Sequence, residues 1–208
     1  MKFLEIIDLP LAGAKLIEFA RFTDHRGYFS EVFQKEDFTN LFQDQGLPRT
    51  EFVQVNESCS KANVLRGLHF QYDPPLGKMV RILYGRAVDM ALDVRLGSPT
   101  FGQMIFIDMP FEPNADRTRW IWIPPGLAHG NFYLEESAIE YFCTAFYNPN
   151  GEVGISPLAS DLDLKLCPAQ LKKVYLELIK GEHIISDRDR QGITLADWRL
   201  DPRAKQVQ

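Results

Sequence analysis

The middle of the chain alternates. In AVDMALDVR (87–95), Val88, Met90, Leu92 and Val94 fall on one face, while Asp89, Asp93 and Arg95 are spaced for the other face or the strand end. That period of two marks a strand with a buried side. Other short runs rich in Val, Ile, Phe and Tyr predict strands as well: EFVQVNE (51–57), VLRGLHF (64–70), KMVRILY (78–84), QMIFIDM (103–109), RWIWIP (119–124), HGNFYL (129–134) and AIEYFCTAFY (138–147). Turn residues separate them at Asp73-Pro74-Pro75, Gly97-Ser98-Pro99, Pro124-Pro125-Gly126 and Asn148-Pro149-Asn150-Gly151. Regular short strands without helical patterns between them predict a sandwich or small barrel, not a parallel α/β sheet. Helical spacing is confined to the ends. KEDFTNLFQ (35–43) predicts a short helix, and AQLKKVYLELIK (169–180) places Leu171, Val174, Tyr175 and Leu178 on one helical face before a stop at Gly181. SDRDRQG (186–192) reads as a polar loop. With no repeat and no linker, the expectation is one all-β domain over 1–208, its core at about 20–160 and a C-terminal helix and loop at 169–195.

Composition narrows the class. A chain of 208 residues supports one sizeable core, and a net charge of −5 argues against a general nucleic-acid or membrane-surface binder. No run approaches the roughly 18 apolar residues of a membrane span. MKFLEIIDLP carries acids where a signal peptide has its apolar core, so a cytoplasmic location is expected. Cys59, Cys143 and Cys167 are odd in number and lack paired spacing, which suits buried thiols in a reducing compartment.

The octamer VLRGLHFQ (64–71) is the densest in chemistry. In a regular strand Arg66 and His69 point to opposite faces, and Gly67 between them permits a bulge or a close backbone approach. Such a strand would present an anion-binding fork and a proton-transfer group to one cavity. A satisfied core histidine beside a surface arginine fits the octamer equally well. Among the other histidines, His25 lies in a polar turn, and His183 follows a helix whose dipole favours a cation there. His129, beside Gly130, resembles His69 in context. Two inward histidines raise the question of a metal held by His69, His129 and a carboxylate. However, Gln71 occupies the place of a close second histidine and is a poor transition-metal ligand. The remaining polar groups favour acid–base chemistry on an anionic substrate. Lys78 is suited to a developing oxyanion, Tyr141 to proton donation or to plain cross-strand packing, and Arg26 and Arg66 to phosphate. No phosphate loop, dinucleotide fingerprint or nucleophile elbow is present.

The ordered set D-x-R-G-Y-F-S-E-x-F (24–33), F-V-Q-V-N-x-S (52–58), L-R-G-L-H-F-Q (65–71), G-K-M-V-R (77–81), D-V-R-x-G-S-P-T-F-G (93–102), W-I-P-P-G-x-A-H-G (122–130) and S-D-R-D-x-x-G (186–192) resembles the dTDP-4-dehydrorhamnose 3,5-epimerase family. The resemblance runs from about residue 20 to 195. It implies an all-β, cupin-type jelly-roll β-barrel with short helices at both ends, working as a homodimer with shared active sites and with no metal and no cofactor. The implied reaction is epimerisation of a dTDP-linked 4-keto-6-deoxyhexose at C3, C5 or both in deoxysugar biosynthesis. The C4 ketone acidifies those positions, and the reaction passes through an enolate. By resemblance His69 is the base, Asp189 orients it, Lys78 stabilises the enolate oxygen and Tyr141 is the acid on the other face. Substrate binding carries over to Arg26, Glu31, Gln54, Asn56, Arg66, His129, Tyr147, Glu152 and Arg188, with Arg26 and Glu31 reaching the neighbouring subunit's site and Tyr147 stacking on the thymine. Two positions depart from the family pattern. Gly154-Ile155 is followed by SPLASDL in place of a Trp-Asn-Asp-Pro segment, and Asn131 replaces an aromatic. Both bear on which sugar is taken and which carbon is inverted. The alternatives are a single-centre epimerase, a non-catalytic nucleotide-sugar binding protein, and a metal-dependent cupin.

Overall fold

The computed structural model describes residues 2–44 and 50–207. Its strands among these residues are β1 (Phe3–Asp8), β2 (Lys15–Ala20), β3 (Phe22–Asp24), β4 (Gly27–Phe29), β5 (Gln54–Ser60), β6 (Val64–Gln71), β7 (Lys78–Tyr84), β8 (Arg86–Asp93), β9 (Met104–Pro110), β10 (Arg117–Ile123), β11 (Leu127–Tyr133), β12 (Ser137–Cys143), β13 (Glu152–Gly154) and β14 (Ile184–Ile185). The helices are α1 (Lys35–Asp44), α2 (Ala169–Lys180), α3 (Asp187–Arg190) and α4 (Leu195–Leu200). One sheet runs β1-β2-β10-β7-β12-β5 and a second runs β13-β6-β11-β8-β9, with β14 added to β6 and β3–β4 forming a separate hairpin. The protein is therefore mostly β with few helices, and its sheets are not closed into a barrel.

Alternation builds three apolar layers. Val80, Ile82, Ile121 and Ile139 of the first sheet meet Ala87, Ala91, Ile105 and Leu127 of the second between the sheets. On the far side of the second sheet, Val88, Met90 and Leu92 pack with Tyr175 of α2 and Trp198 of α4. On the far side of the first, Phe38 and Phe42 of α1 pack against Trp120 and Trp122. Each such large side chain taken out of water is worth roughly 1.5–3 kcal/mol. The loop after β8 is knotted by Asp93, which accepts from Arg95 Nε at 2.9 Å, Ser98 Oγ at 2.6 Å and Thr100 Oγ1 at 2.6 Å. Burial pushes the Asp93 carboxyl up, but these donors outweigh it and hold it below the usual carboxylate range.

Several expectations are corrected. The N-terminal end is not mere trimming, since β1 and β2 extend the first sheet and β2 pairs with β10. The strand expected over 138–147 ends at Cys143; beyond it the backbone bonds the Gln71 side chain, the Phe146 carbonyl accepting at 3.0 Å and the Asn148 N–H donating at 2.7 Å. SDRDRQG is not a plain loop: Ser186 caps α3 by accepting the Asp189 N–H. Cys59 is exposed, whereas Cys143 and Cys167 are buried. Among the described residues no helix is long and apolar enough to cross a membrane.

Candidate active site

Strand β6 carries the central histidine through an irregularity. Gly67 has φ +100°, and a Cβ there would lie 2.6 Å from Gly130 Cα and 2.7 Å from the His129 carbonyl oxygen. Only glycine allows that backbone and that approach. The β6–β11 register shifts at the same level, between His129 and Asn131. As a result Arg66 and His69, which a regular strand would point apart, both line one cavity of about 540 Å³.

His69 Nε2 lies 2.8 Å from Asp189 Oδ1. The other carboxylate oxygen of Asp189 accepts the Gly67 N–H at 3.2 Å, so α3 and the β6 irregularity are held to each other through this one side chain. Burial pushes the Asp189 carboxyl up, while His69, the Gly67 N–H and Ser186 pull it down; the balance leaves it below the usual range, ionised beside the ring. From the first sheet, Lys78 of β7 and Tyr141 of β12 line the same cavity. Lys78 Nζ stands 5.8 Å from the centre of the Tyr141 ring. Burial lowers the Lys78 pKa, so its ammonium holds a proton less firmly than an exposed lysine. Burial, followed by the neighbouring Cys143, raises the Tyr141 pKa and keeps its hydroxyl a neutral donor.

A second histidine–carboxylate contact sits beside the first. His129 Nε2 lies 2.6 Å from Asp89 Oδ1, at an angle outside that of a hydrogen bond. Burial lowers the His129 pKa against the pull of Asp89. Each histidine is thus turned to its own carboxylate, and among the described residues no group of three or more His, Cys, Asp or Glu is placed to hold a metal. Asp89 was not among the residues expected here. The available signal was an acid in an otherwise apolar strand, on the face opposite Val88 and Met90.

The other expected binding residues divide into two groups. Gln54, Asn56, Tyr147, Glu152 and Arg188 form one hydrogen-bonded chain. Gln54 Nε2 donates to Asn56 Oδ1 at 3.0 Å, the Tyr147 N–H to Gln54 Oε1 at 3.0 Å, and the Tyr147 hydroxyl to Glu152 Oε2 at 3.3 Å. Arg188, which lines the cavity, pairs with the same Glu152 oxygen. Arg66 donates to Ser60 Oγ at 2.8 Å. Gln54, Asn56, Tyr147 and Glu152 do not line the cavity, and neither do Arg26 and Glu31. Arg26 grips Asp24 on the exposed β3–β4 hairpin, its Nη2 2.5 Å from Asp24 Oδ2, and Glu31 is exposed just beyond that hairpin.

Residues 8–197 match the family model described as dTDP-4-dehydrorhamnose 3,5-epimerase. A dTDP-4-dehydrorhamnose 3,5-epimerase of Methanothermobacter thermautotrophicus is 41% identical over 191 residues, covering 91% of this chain and 94% of its own. Among solved structures, dTDP-6-deoxy-D-glucose-3,5-epimerase of Legionella pneumophila in complex with dTDP-4-keto-L-rhamnose superposes with TM-score 0.76 at 36% identity, covering 92% of this chain and 93% of that one. A 3'-monoepimerase of Streptomyces bikiniensis in complex with dTDP-quinovose superposes with TM-score 0.73 at 30% identity, covering 90% and 86%.

Proposed function

The chain belongs to the dTDP-4-dehydrorhamnose 3,5-epimerase family, and from that membership we propose that it inverts C3, C5 or both of a dTDP-linked 4-keto-6-deoxyhexose in deoxysugar biosynthesis. It is an isomerase. The observation that carries the mechanism is the His69–Asp189 pair, which shares one cavity with Lys78 and Tyr141. Asp189 engages Nε2, which leaves Nδ1 of His69 to take the proton from carbon next to the C4 ketone. The ionised carboxylate then stabilises the imidazolium that forms. The electron pair moves onto the ketone oxygen, where the Lys78 ammonium balances the charge. Tyr141, on the other sheet and neutral, returns a proton to the opposite face of the carbon. Arg66 and Arg188 hold the diphosphate, His129 contacts the sugar, and the chain from Gln54 to Glu152 receives the nucleoside. The finer fold reading, two sheets as a cupin-type jelly roll, and the homodimer in which Arg26 and Glu31 serve the neighbouring cavity belong to the same proposal.

The test is solvent isotope exchange. With dTDP-4-keto-6-deoxyglucose in D2O, deuterium enters at C3, C5 or both, and His69→Ala removes the exchange. No exchange with any dTDP-4-keto sugar would overturn the reading. The similarity to a 3'-monoepimerase gives a second reading, exchange at C3 alone, and the same spectrum separates the two.

A further inference from the structure

Asn131 is a buried polar group of the cavity wall that the proton chemistry leaves unused. Its side chain is 4% exposed, and its Nδ2 has no hydrogen-bond partner. A buried amide donor left unpaired costs free energy, so a protein keeps one where something else will accept from it. Its surroundings make the unpaired donor specific. Asn131 stands opposite Asp89 in the β11–β8 register, yet it makes no bond to that carboxylate, which instead meets His129. Gly130 turns toward Met90 in the other apolar layer, so the residues on either side of it, His129 and Asn131, face the cavity together.

The register also says which part of the substrate comes near. Across β6 and β11, His129 pairs with His69 and Asn131 pairs with Arg66. On the proposed reading Arg66 holds the diphosphate borne on C1, while His69 works at C3 or C5. The register thus sets Asn131 at the C1 end of the sugar, beside the diphosphate, where the nearest hydroxyl is the one on C2. Lys78, from the opposite sheet, faces the C4 oxygen. We propose that Asn131 is a specificity-determining residue whose side-chain amide donates a hydrogen bond to the C2 hydroxyl of the sugar, selecting 2-hydroxy over 2-deoxy substrates. A site built to bond a hydroxyl rejects the analogue that lacks it far more strongly than a merely apolar pocket does.

This inference rests on the epimerase reading, and the experiment separates the two. The wild type, Asn131→Leu and Asn131→Ala are assayed for kcat/KM by isotope exchange on dTDP-4-keto-6-deoxyglucose and on its 2-deoxy analogue. The wild type should prefer the 2-hydroxy substrate by about 10- to 100-fold. Both variants should lose that preference, by falling on the 2-hydroxy substrate while holding on the 2-deoxy one. The ratio of the two rates cancels the amount of folded enzyme, so a poorly folding variant still reports. Equal losses on both substrates, or an unchanged ratio, would overturn the role of Asn131 alone. Absence of exchange by the wild type on either substrate would overturn the epimerase reading and this inference with it.

Discussion

In the proposed mechanism Asp189 decides what His69 can do. A carboxylate on Nε2 fixes the tautomer, and here it is itself fixed by the Gly67 N–H and the Ser186 cap. Asp189→Asn keeps the shape and removes the charge. It is expected to lower kcat by about 10²- to 10⁴-fold with KM nearly unchanged, since general-base catalysis is worth that much and the binding groups stay in place. Steady-state kinetics on the 4-keto substrate checks this, and a change confined to KM would contradict it. At this scale the sequence was informative where chemistry forces a residue type. His69, Lys78, Tyr141 and Asp189 are expected from the sequence and come together in one cavity, although Asp189 lies 120 residues from His69 and its expectation rests on the family motif, not on spacing. Asp89 escaped because one acid in a strand reads as a solvent-facing position until the partner sheet is known.

At the scale of the element, the irregular β6 is what brings an arginine and a histidine to one side. Gly67→Ala would force a side chain into φ +100° and into contact with Gly130 and the His129 carbonyl. Such a conformation alone costs about 1–3 kcal/mol, before any clash is relieved. For a chain of this length each kcal/mol lowers Tm by about 2–4 °C. The expected result is a clear drop in Tm by calorimetry, with loss of exchange activity in whatever fraction still folds, because Arg66 and His69 no longer converge. A variant with wild-type Tm and activity would show that the irregularity is dispensable. The octamer announced this feature through its glycine. By contrast β1 and β2 went unread. The run LIEFA in β2 is apolar but short, and its Glu18 breaks the pattern until Arg117 and Arg119 of β10 are seen to pair with it, at 2.8 and 3.1 Å. Likewise α3 is a single turn, too short for periodicity to register, and only its Ser186 cap gave a local clue.

At the scale of the whole molecule, the β3–β4 hairpin carries groups its own cavity does not use. Phe22, Tyr28 and Phe29 are exposed, Phe29 at 68%, and Arg26 projects beside them. An exposed aromatic patch of this kind marks an interaction surface, and the proposed homodimer gives it a destination in the partner's cavity. Sites shared between subunits have a sharp consequence for mixed dimers. His69→Ala destroys the base of its own subunit, whereas Arg26→Ala would impair the site of the other subunit. In a heterodimer of the two variants, one cavity holds both lesions and the other holds neither. Random mixing of equal amounts gives half heterodimers, so about one quarter of the wild-type exchange rate should return from two preparations that are each strongly impaired. If Arg26 served only its own subunit, every cavity in the mixture would keep a lesion and no activity would return. Sedimentation of the wild type fixes the other requirement, a dimer at the assay concentration, and a monomer that turns over substrate normally would remove the hairpin from the site altogether.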